Sequence, residues 1–418
     1  MRRILTLLLI VSLFSSQFLA SVEASSPKAG SSCKTLKSSL VFNGNKYICV
    51  RLRNQLVWSH GIKVSQQILP IPGTAPTTSP TKPPESNIPS TLPTGFRDLY
   101  ENRKAIAYAA WLKTSTVIAG SDARIPLTQI FIGPNTTPWY TNIRLIEELD
   151  SKAFPTAKLP SKVFVFFYNY RDLNWAMTEV KAALSADEYD QLNANEGGHL
   201  VDSGCQPLVK DCLGSKEVTT SPGSDTALLL IGVHNHSGMY TVNGTTYGDP
   251  GVSELNFNGL LLAHEYFHAI QREPFQGKSV SQGDYPPPWL REGSAQFIQI
   301  ATVYHDSYSK FLNWKKISVG GYIKNQGLSE SFISDYLSLK HFEDNWSSFN
   351  GDWAYFLGHR IVEALVAVKG PESLVDLYTK MSSRIGFESA FSEVYGISYE
   401  DVVPILAKVI SANFASGD

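Results

Sequence analysis

The spacing of hydrophobic and polar residues divides the chain into an early part rich in strands and a later part rich in helices. The mostly apolar stretches at 162–168 and 226–233 predict strands. A hairpin turn is predicted at Asn243-Gly244. From about residue 256 onward, apolar residues recur at the spacing of amphipathic helices. Strands followed by helices predict an α+β domain, which we place at residues 96–418.

A small β-rich unit is predicted before this domain, at residues 25–66. Asn43-Gly44 is a strong hairpin signal because it lies between two apolar stretches. With a third stretch, the unit is predicted to have strands at 40–42, 46–50 and 56–58. Residues 67–95 then alternate proline with threonine and serine, which favours an extended linker over a packed core.

The first 24 residues have the pattern of a secretion signal. Arg2 and Arg3 supply positive charge, residues 4–13 are mostly apolar, and Val22-Glu23-Ala24 offers small residues for cleavage. The apolar run is shorter than the roughly 20 residues that a membrane-spanning helix needs. We therefore expect a secreted or cell-surface protein, with residues 1–24 removed and no transmembrane segment after that removal.

The charge balance limits the classes of partner. Acidic and basic residues nearly cancel, with a formal net charge of −2. A protein that binds nucleic acid usually carries a basic surface, and no such excess is present. The composition therefore argues against a nucleic-acid partner.

The cysteines indicate disulfide bonds. Four cysteines in an exported chain are the number needed for two bridges. The local pairs Cys33–Cys49 and Cys205–Cys212 close short loops and are therefore favoured. The sequence leaves the two other pairings open.

The run from His264 to His268 carries the most specific chemistry in the chain. It reads His-Glu-x-x-His, and positions four apart share one face of a helix, so His264 and His268 can bind one metal ion. Glu265 lies beside them, where a general base must be to take a proton from a water that the metal activates. The alternative is a core helix in which the two histidines only have hydrogen-bond partners. Burying a charged glutamate in an apolar helix, however, costs free energy unless the residue has a function.

The boundaries of this helix can also be predicted. Residues 260–263 form an apolar lead-in, and Asn256 or Asn258 is expected to cap the N-terminus. Pro274 is expected to end the helix. The motif then lies near the middle of a helix of about four turns.

A catalytic zinc ion usually takes three protein ligands, so one more is needed. The best candidate is Glu292, near the start of a helix predicted from Trp289 to Val303. Gly293 and Ala295 are small and would let this helix approach the first one closely. A surface acid that favours a helix N-terminus is the alternative for Glu292.

These two segments resemble a known family. His264-Glu265-x-x-His268, followed by Pro288-Trp289-Leu290-x-Glu292-Gly293-x-Ala295, looks like the gluzincin zinc metallopeptidases, and most closely the peptidase MA-like group. Weaker agreement extends the resemblance over about residues 96–415, with matches at 162–167, 172–184, 355–358, 368–374, 390–391 and 395–396.

The resemblance implies a zincin-like fold and a function. His264, His268 and Glu292 would bind Zn²⁺, and Glu265 would be the general base in the hydrolysis of a peptide or protein substrate. No Gly-x-Met-x-Asn element precedes the motif, so an endopeptidase is favoured over an aminopeptidase.

Two further roles follow from the resemblance. Tyr355, in a Tyr-x-x-Gly segment, would donate a hydrogen bond to the oxyanion, and His359 is the rival for that role one turn later. A core aromatic residue is the alternative for Tyr355. Some gluzincins place an acid four residues after the glutamate ligand to hold a histidine ligand, and here that position is Gln296. The partner must then come from elsewhere, or a glutamine oxygen must serve.

The strand near 227–233 is expected to form the edge of the cleft, as in the resembling family, where an extended peptide can pair with it. His234 and His236 alternate at its end. A second metal pair or a substrate contact is conceivable for them, but a solvent-facing loop is the favoured interpretation.

A different class of function remains open. The chain could be an extracellular or cell-wall binding protein whose peptidase-like domain has no catalytic activity. Phe42, Tyr47 and Trp58 of the N-terminal unit could contact cell-wall glycans, although the core of a tiny sheet is the simpler interpretation.

Overall fold

The computed structural model describes most of the region after residue 88 and short parts of the region before it. The described residues are 31–33, 39–42, 45–52, 55–58, 62–63, 89–138, 140–206, 210–212, 215–219, 225–234, 240–242, 245–247, 258–278, 286–320, 328–338 and 352–416. They belong to two compact units, 1–77 and 78–418. The predicted signal at 1–24 lies outside the described residues.

The first unit is an antiparallel sheet of four short strands, β1 (Ser39–Phe42), β2 (Asn45–Leu52), β3 (Gln55–Trp58) and β4 (Ile62–Lys63). Phe42 pairs with Asn45, which confirms the predicted hairpin around residues 43–44. The predicted third strand is also confirmed, and β4 pairs with β2. Cys33 is bonded to Cys49, as predicted, and Cys49 is fully buried.

The second unit contains a mixed four-stranded sheet in the order β5, β6, β10, β9. The strands are β5 (Leu127–Ile132), β6 (Lys162–Tyr168), β9 (Ser215–Thr219) and β10 (Thr226–Gly232). β5, β6 and β10 are parallel, and β9 is antiparallel to β10. The two continuous apolar segments, β6 and β10, lie inside the sheet, where both faces are covered. Two small hairpins add β7 (Cys205–Gln206) with β8 (Asp211–Cys212), and β11 (Tyr240–Val242) with β12 (Thr245–Tyr247).

Helices make up most of the rest of this unit. Before β10 they are α1 (Ile106–Gly120), α2 (Ile143–Ala153), α3 (Leu173–Ala183) and α4 (Ala186–Asn195). After it they are α5 (Leu260–Arg272), α6 (Pro288–Val303), α7 (Tyr308–Gly320), α8 (Glu330–Ser338), α9 (Asp352–Lys369), α10 (Glu372–Met381), α11 (Phe387–Tyr395) and α12 (Tyr399–Ala415). Short 3₁₀ turns occur at Phe96–Asp98, Arg103–Ala105, Tyr170–Asp172 and Glu273–Phe275. This arrangement confirms the predicted α+β class. None of the helices in the described part of the chain is both long and apolar enough to cross a bilayer.

The alternation of side chains in β6 explains how the sheet separates two cores. Val163, Val165 and Phe167 point into the large core formed with the helical part of the domain. Phe164, Phe166 and Tyr168 point into a smaller core on the opposite face, under α3, α4 and the Cys205–Cys212 disulfide. Successive strand residues face opposite sides, so an unbroken apolar run can serve both cores.

The start of α5 differs from the sequence prediction. Gly259, rather than an asparagine, is the N-cap residue, with φ of +78°. A Cβ at this position would approach the Tyr140 ring to 2.6 Å. Asparagine tolerates a left-handed backbone, but only glycine, which has no Cβ, also leaves room for the Tyr140 ring. Asn256 lies outside the described residues, and Asn258 precedes the cap. The predicted end near Pro274 agrees with the last helical residue, Arg272.

The closest helix crossing also differs from the prediction. α6 does pack closely against α5, but the nearest neighbour of Gly293 is α9, because a Cβ placed on Gly293 would lie 2.3 Å from the carbonyl carbon of Gly358. A Cβ on Gly358 would in turn lie 2.5 Å from the carbonyl oxygen of Trp289. The two glycines thus allow backbone contact between α6 and α9. Glu292 adjoins Gly293, and Tyr355 precedes Gly358 by three residues, so this crossing brings the two side chains together.

Burial shifts the pKa values of two acidic residues of α2. Glu147 and Asp150 are both fully buried. Burial raises the pKa of Glu147 to about 7, although a 2.5 Å hydrogen bond from Thr128 and the charge of Arg144 oppose the shift. Burial also raises the pKa of Asp150 well above its ordinary value. Both carboxyls are therefore easier to bury protonated than ionised.

The fold should consequently lose stability as the pH rises and these carboxyls ionise. A carboxyl whose pKa is higher in the folded state than in the unfolded state stabilises the fold fully at a pH below the pKa of the unfolded state. For Glu147 this stabilisation is lost as the pH rises from about 4.5 to about 7. The free energy of unfolding of the wild type should fall between pH 5 and pH 8. In Glu147→Gln we expect this fall to be smaller by about 3 kcal/mol. Urea unfolding at the two pH values measures it. Glu148→Gln is the control, since Glu148 is a partly exposed neighbour paired with Lys152. Equal declines in the wild type and Glu147→Gln would contradict the assignment.

Candidate metal centre

Two imidazoles of α5 converge as the sequence predicted. The Nε2 atoms of His264 and His268 are 3.1 Å apart, and their rings are nearly perpendicular. Their side chains are only 7% and 12% exposed. Because the residues are four apart on one helix, the local geometry alone places them side by side. The rest of α5 is held in the core by its apolar residues.

The third side chain comes from α6. The Oε2 atom of Glu292 lies 3.5 Å from Nε2 of His264 and 3.2 Å from Nε2 of His268. The three residues form the group that could hold a metal ion in the described part of the chain. Their predicted convergence is confirmed, whereas the identity of the ion is not determined by it.

The charge of the group suits a cation. Burial alone would raise the pKa of Glu292, but the charge of His268 and hydrogen bonds with both imidazoles lower it well below its ordinary value. The guanidinium of Arg291 adds to this effect, with Nε 2.8 Å from Oε1 of Glu292. Glu292 is therefore ionised, with one oxygen held by Arg291 and the other facing the two histidines.

Glu265 lies next to this group in a different environment. It is buried, and burial raises its pKa to about 7 against the opposing charge of His264. The charges of Glu292 and Glu217 raise the pKa further, and a backbone N–H donated by Glu217 lowers it. A carboxyl whose pKa is near neutrality can both accept and release a proton, which a general base must do in each cycle.

The strand that borders the centre is not the one predicted. β10 lies between β6 and β9, so it is an interior strand, and β9 is the described edge strand beside α5. Glu217 of β9 is attached to α5 at two points, through its backbone N–H to Glu265 and through its carboxylate, 2.9 Å from Nε of Arg272. No motif in the sequence marks Glu217. Its role depends on strand order, which the apolar pattern does not specify.

Of the two candidate oxyanion donors, Tyr355 is the one at the metal centre. Its ring lies 6.0 Å from that of His264, with the planes inclined by 25°. Burial, the charges of Glu292 and Glu265 and a hydrogen bond to Glu292 raise its pKa, so the hydroxyl stays protonated and can donate. His359 is fully buried beside Phe297 and 4.0 Å from a carboxylate oxygen of Glu363. The catalytic role of Tyr355 stays a prediction.

A glutamine oxygen does hold a histidine, but it belongs to Gln271 rather than Gln296. Oε1 of Gln271 lies 2.7 Å from Nδ1 of His268. The amide nitrogen of Gln271 donates to the backbone oxygen of Arg291 and to the hydroxyl of Ser294. In the sequence, Gln271 stands three residues after the motif. This spacing on a helix is the signal that could have identified it.

The sequence suggested a solvent-facing loop for His234, but the side chain is buried. Its side chain is 7% exposed, and Nδ1 lies 3.3 Å from a carboxylate oxygen of the fully buried Asp211. Asp211 is in β8, next to Cys212, whose disulfide with Cys205 is formed as predicted. His234 therefore packs against Asp211 in the interior. His236 lies outside the described residues.

The candidate metal centre therefore combines three convergent side chains that could bind a metal ion, a buried acid with a pKa near neutrality and a protonated tyrosine. Comparison of the chain with models of known protein families, with curated proteins and with solved structures found no significant match.

Proposed function

We propose that this protein is a zinc-dependent peptidase that hydrolyses internal peptide bonds, with a catalytic domain of the gluzincin type. The observation that carries the proposal is the geometry of the three ligand atoms. Their separations are 3.1, 3.2 and 3.5 Å. Zinc bonds of about 2.05 Å in a tetrahedron require ligand separations of about 3.3 Å, so one ion fits between them with a fourth position left open.

The types of ligand support zinc over the hard cations. Magnesium and calcium prefer sites made of oxygen atoms, whereas imidazole nitrogen suits zinc and its transition-metal neighbours. Two histidines and one carboxylate are a known set for catalytic zinc. Bound zinc would supply an activated water and would polarise the scissile carbonyl.

The protein residues perform the proton transfers. Glu265 would take the proton of the attacking water and deliver it to the leaving nitrogen, and a pKa near 7 suits both directions. Tyr355 would donate a hydrogen bond to the oxyanion that develops on the substrate carbonyl. The backbone N–H of Glu217 holds the Glu265 carboxylate in place for these transfers.

The role of Tyr355 can be separated from that of His359. We expect Tyr355→Phe to lower kcat by about 100-fold with zinc retained and KM little changed, since loss of one oxyanion donor typically has this effect. His359→Asn should keep kcat within a few-fold of the wild type if it is folded, as a melting curve would show. Normal turnover in Tyr355→Phe with a large loss in folded His359→Asn would assign the donor role to His359.

Export belongs to the proposal as well. Two disulfides are formed in the described residues, and such bonds persist in oxidising compartments. A secreted or cell-surface location would give the enzyme extracellular peptides or proteins as substrates. The N-terminal unit would then be an accessory module, with cell-wall polymers as one class of partner.

The test is metal analysis of the purified protein together with digestion of a peptide library, with and without a chelator. We expect about one zinc per chain and cleavage within peptides that stops on chelation and returns with zinc. A zinc content near zero without cleavage would refute the proposal and favour a non-catalytic binding protein. Binding of the isolated wild-type protein to cell-wall polymers would then be the measurement to make.

A further inference from the structure

Gln271 has more contacts with the metal centre than its place outside the motif suggests. It lies on α5, three residues after His268, and it is 1% exposed. Its amide contacts His268 on its own helix and two groups on α6. One of these groups belongs to Arg291, the residue immediately before the ligand Glu292.

The partners of Gln271 determine which way its amide faces. The backbone oxygen of Arg291 can only accept a hydrogen bond, and it lies 3.0 Å from the amide nitrogen of Gln271. The reversed amide would place two carbonyl oxygens against each other. The NH₂ group must therefore face α6, with its second contact 2.8 Å away at the Ser294 hydroxyl.

The orientation of the amide determines the tautomer of His268. With NH₂ turned to α6, Oε1 of Gln271 faces Nδ1 of His268 at 2.7 Å. A carbonyl oxygen only accepts, so Nδ1 must carry the hydrogen. In the neutral ring, Nε2 then has no hydrogen and directs its lone pair to the point shared with His264 and Glu292.

We propose that Gln271 is a positioning residue for the metal site, which sets the tautomer and ring orientation of His268 and ties α5 to α6 beside Glu292. The inference rests on the proposed zinc site but not on peptide hydrolysis. Groups that hold a metal-bound histidine through its second nitrogen typically change metal affinity by about 10- to 100-fold when they are removed.

Three variants test the proposal. Gln271→Met keeps the length of the side chain but removes every hydrogen bond. Gln271→Glu keeps an acceptor for His268. Gln299→Met is the matched control, because Gln299 is a glutamine of α6 that is 2% exposed and lies about two turns beyond Glu292. Melting curves of the metal-free proteins establish that each variant is folded.

The first readout is zinc affinity, measured by competition with a chelator of known strength. We expect Gln271→Met to lose about 10- to 100-fold in affinity, whereas Gln299→Met stays within a few-fold of the wild type. Gln271→Glu should recover only part of the loss, because the acceptor for Nδ1–H is restored but the donors to Arg291 and Ser294 are not. Equal affinities of Gln271→Met and wild type would overturn the proposal, and so would an equal loss in Gln299→Met.

The second readout is the tautomer itself. The nitrogen chemical shifts of His268 in the metal-free protein distinguish hydrogen on Nδ1 from hydrogen on Nε2. We expect the Nδ1–H form in the wild type and a mixture of tautomers in Gln271→Met. An Nε2–H form in the wild type would contradict the proposed role.

The two proposals fail in different ways. A wild-type protein that binds zinc but cleaves no peptide would refute the peptidase and leave the role of Gln271 intact. Cleavage with an unchanged zinc affinity in Gln271→Met would refute the role of Gln271 alone. A wild-type protein without affinity for zinc would refute both.

Discussion

Glu265→Gln should keep one zinc ion per chain and lower peptide hydrolysis by about 1,000-fold. The amide has nearly the shape of the carboxylate and can still accept the backbone N–H of Glu217, so the helix and the metal ligands should be undisturbed. It cannot take a proton from water, and a positioned general base typically contributes about 10²- to 10⁴-fold to the rate. Zinc content and turnover measured on the same preparation give both quantities.

Glu147→Gln is the matched control for this experiment. Glu147 is a buried glutamate whose pKa is also raised to about 7, but its carboxyl contacts Thr128 on β5 rather than the metal ligands. The same chemical change should therefore leave kcat within a few-fold of the wild type. Retained hydrolysis in Glu265→Gln, or an equal loss in both variants, would remove Glu265 from the role of general base.

Glu292→Ala should abolish zinc binding and reduce hydrolysis to the background. Only the two imidazoles of α5 would remain as ligands, and catalytic zinc sites usually need three protein groups. The variant should also lose the stabilisation that zinc gives to the wild type, about 4 kcal/mol at a zinc concentration 1,000 times Kd. Equilibrium dialysis and melting curves with and without zinc measure the two effects.

The control for Glu292→Ala is Gln299→Ala. Gln299 is also buried on α6, about two turns beyond the metal ligand. This variant should keep the zinc-dependent rise in melting temperature even if the fold is somewhat less stable. A zinc-dependent rise that persists in Glu292→Ala would show that another residue supplies the third ligand.

The accuracy of the sequence predictions depended on the distance along the chain between the groups involved. His264 and His268 are four residues apart, so helix geometry alone brings them together, and their convergence was predicted and found. The two disulfides are local in the same sense and formed as predicted. Glu292, 24 residues beyond His268, was reached through the spacing of two motifs and a resemblance, and its position required the packing of α6 against α5.

The errors came from contacts between distant segments. The strand at 226–233 was expected at the edge of the cleft, but it is an interior strand of the sheet, and Glu217 of β9 contacts Glu265 instead. Gly293 was expected to serve the approach to α5, whereas its closest contact is Gly358 of α9. In both cases the residue types indicated a close contact or a buried strand without indicating the partner.

The sequence by itself determined the main strands and helices of this protein and the local convergence of two imidazoles. Apolar runs indicated the strands, and the four-residue spacing on a helix indicated that His264 and His268 converge with Glu265 beside them. Only the tertiary structure decided that Gln271 contacts His268, that the backbone N–H of Glu217 contacts Glu265, and that Tyr355 rather than His359 contacts Glu292. The physical reason is that periodicity reports which face of an element is buried, whereas the partner on that face is chosen by packing among segments far apart in the chain.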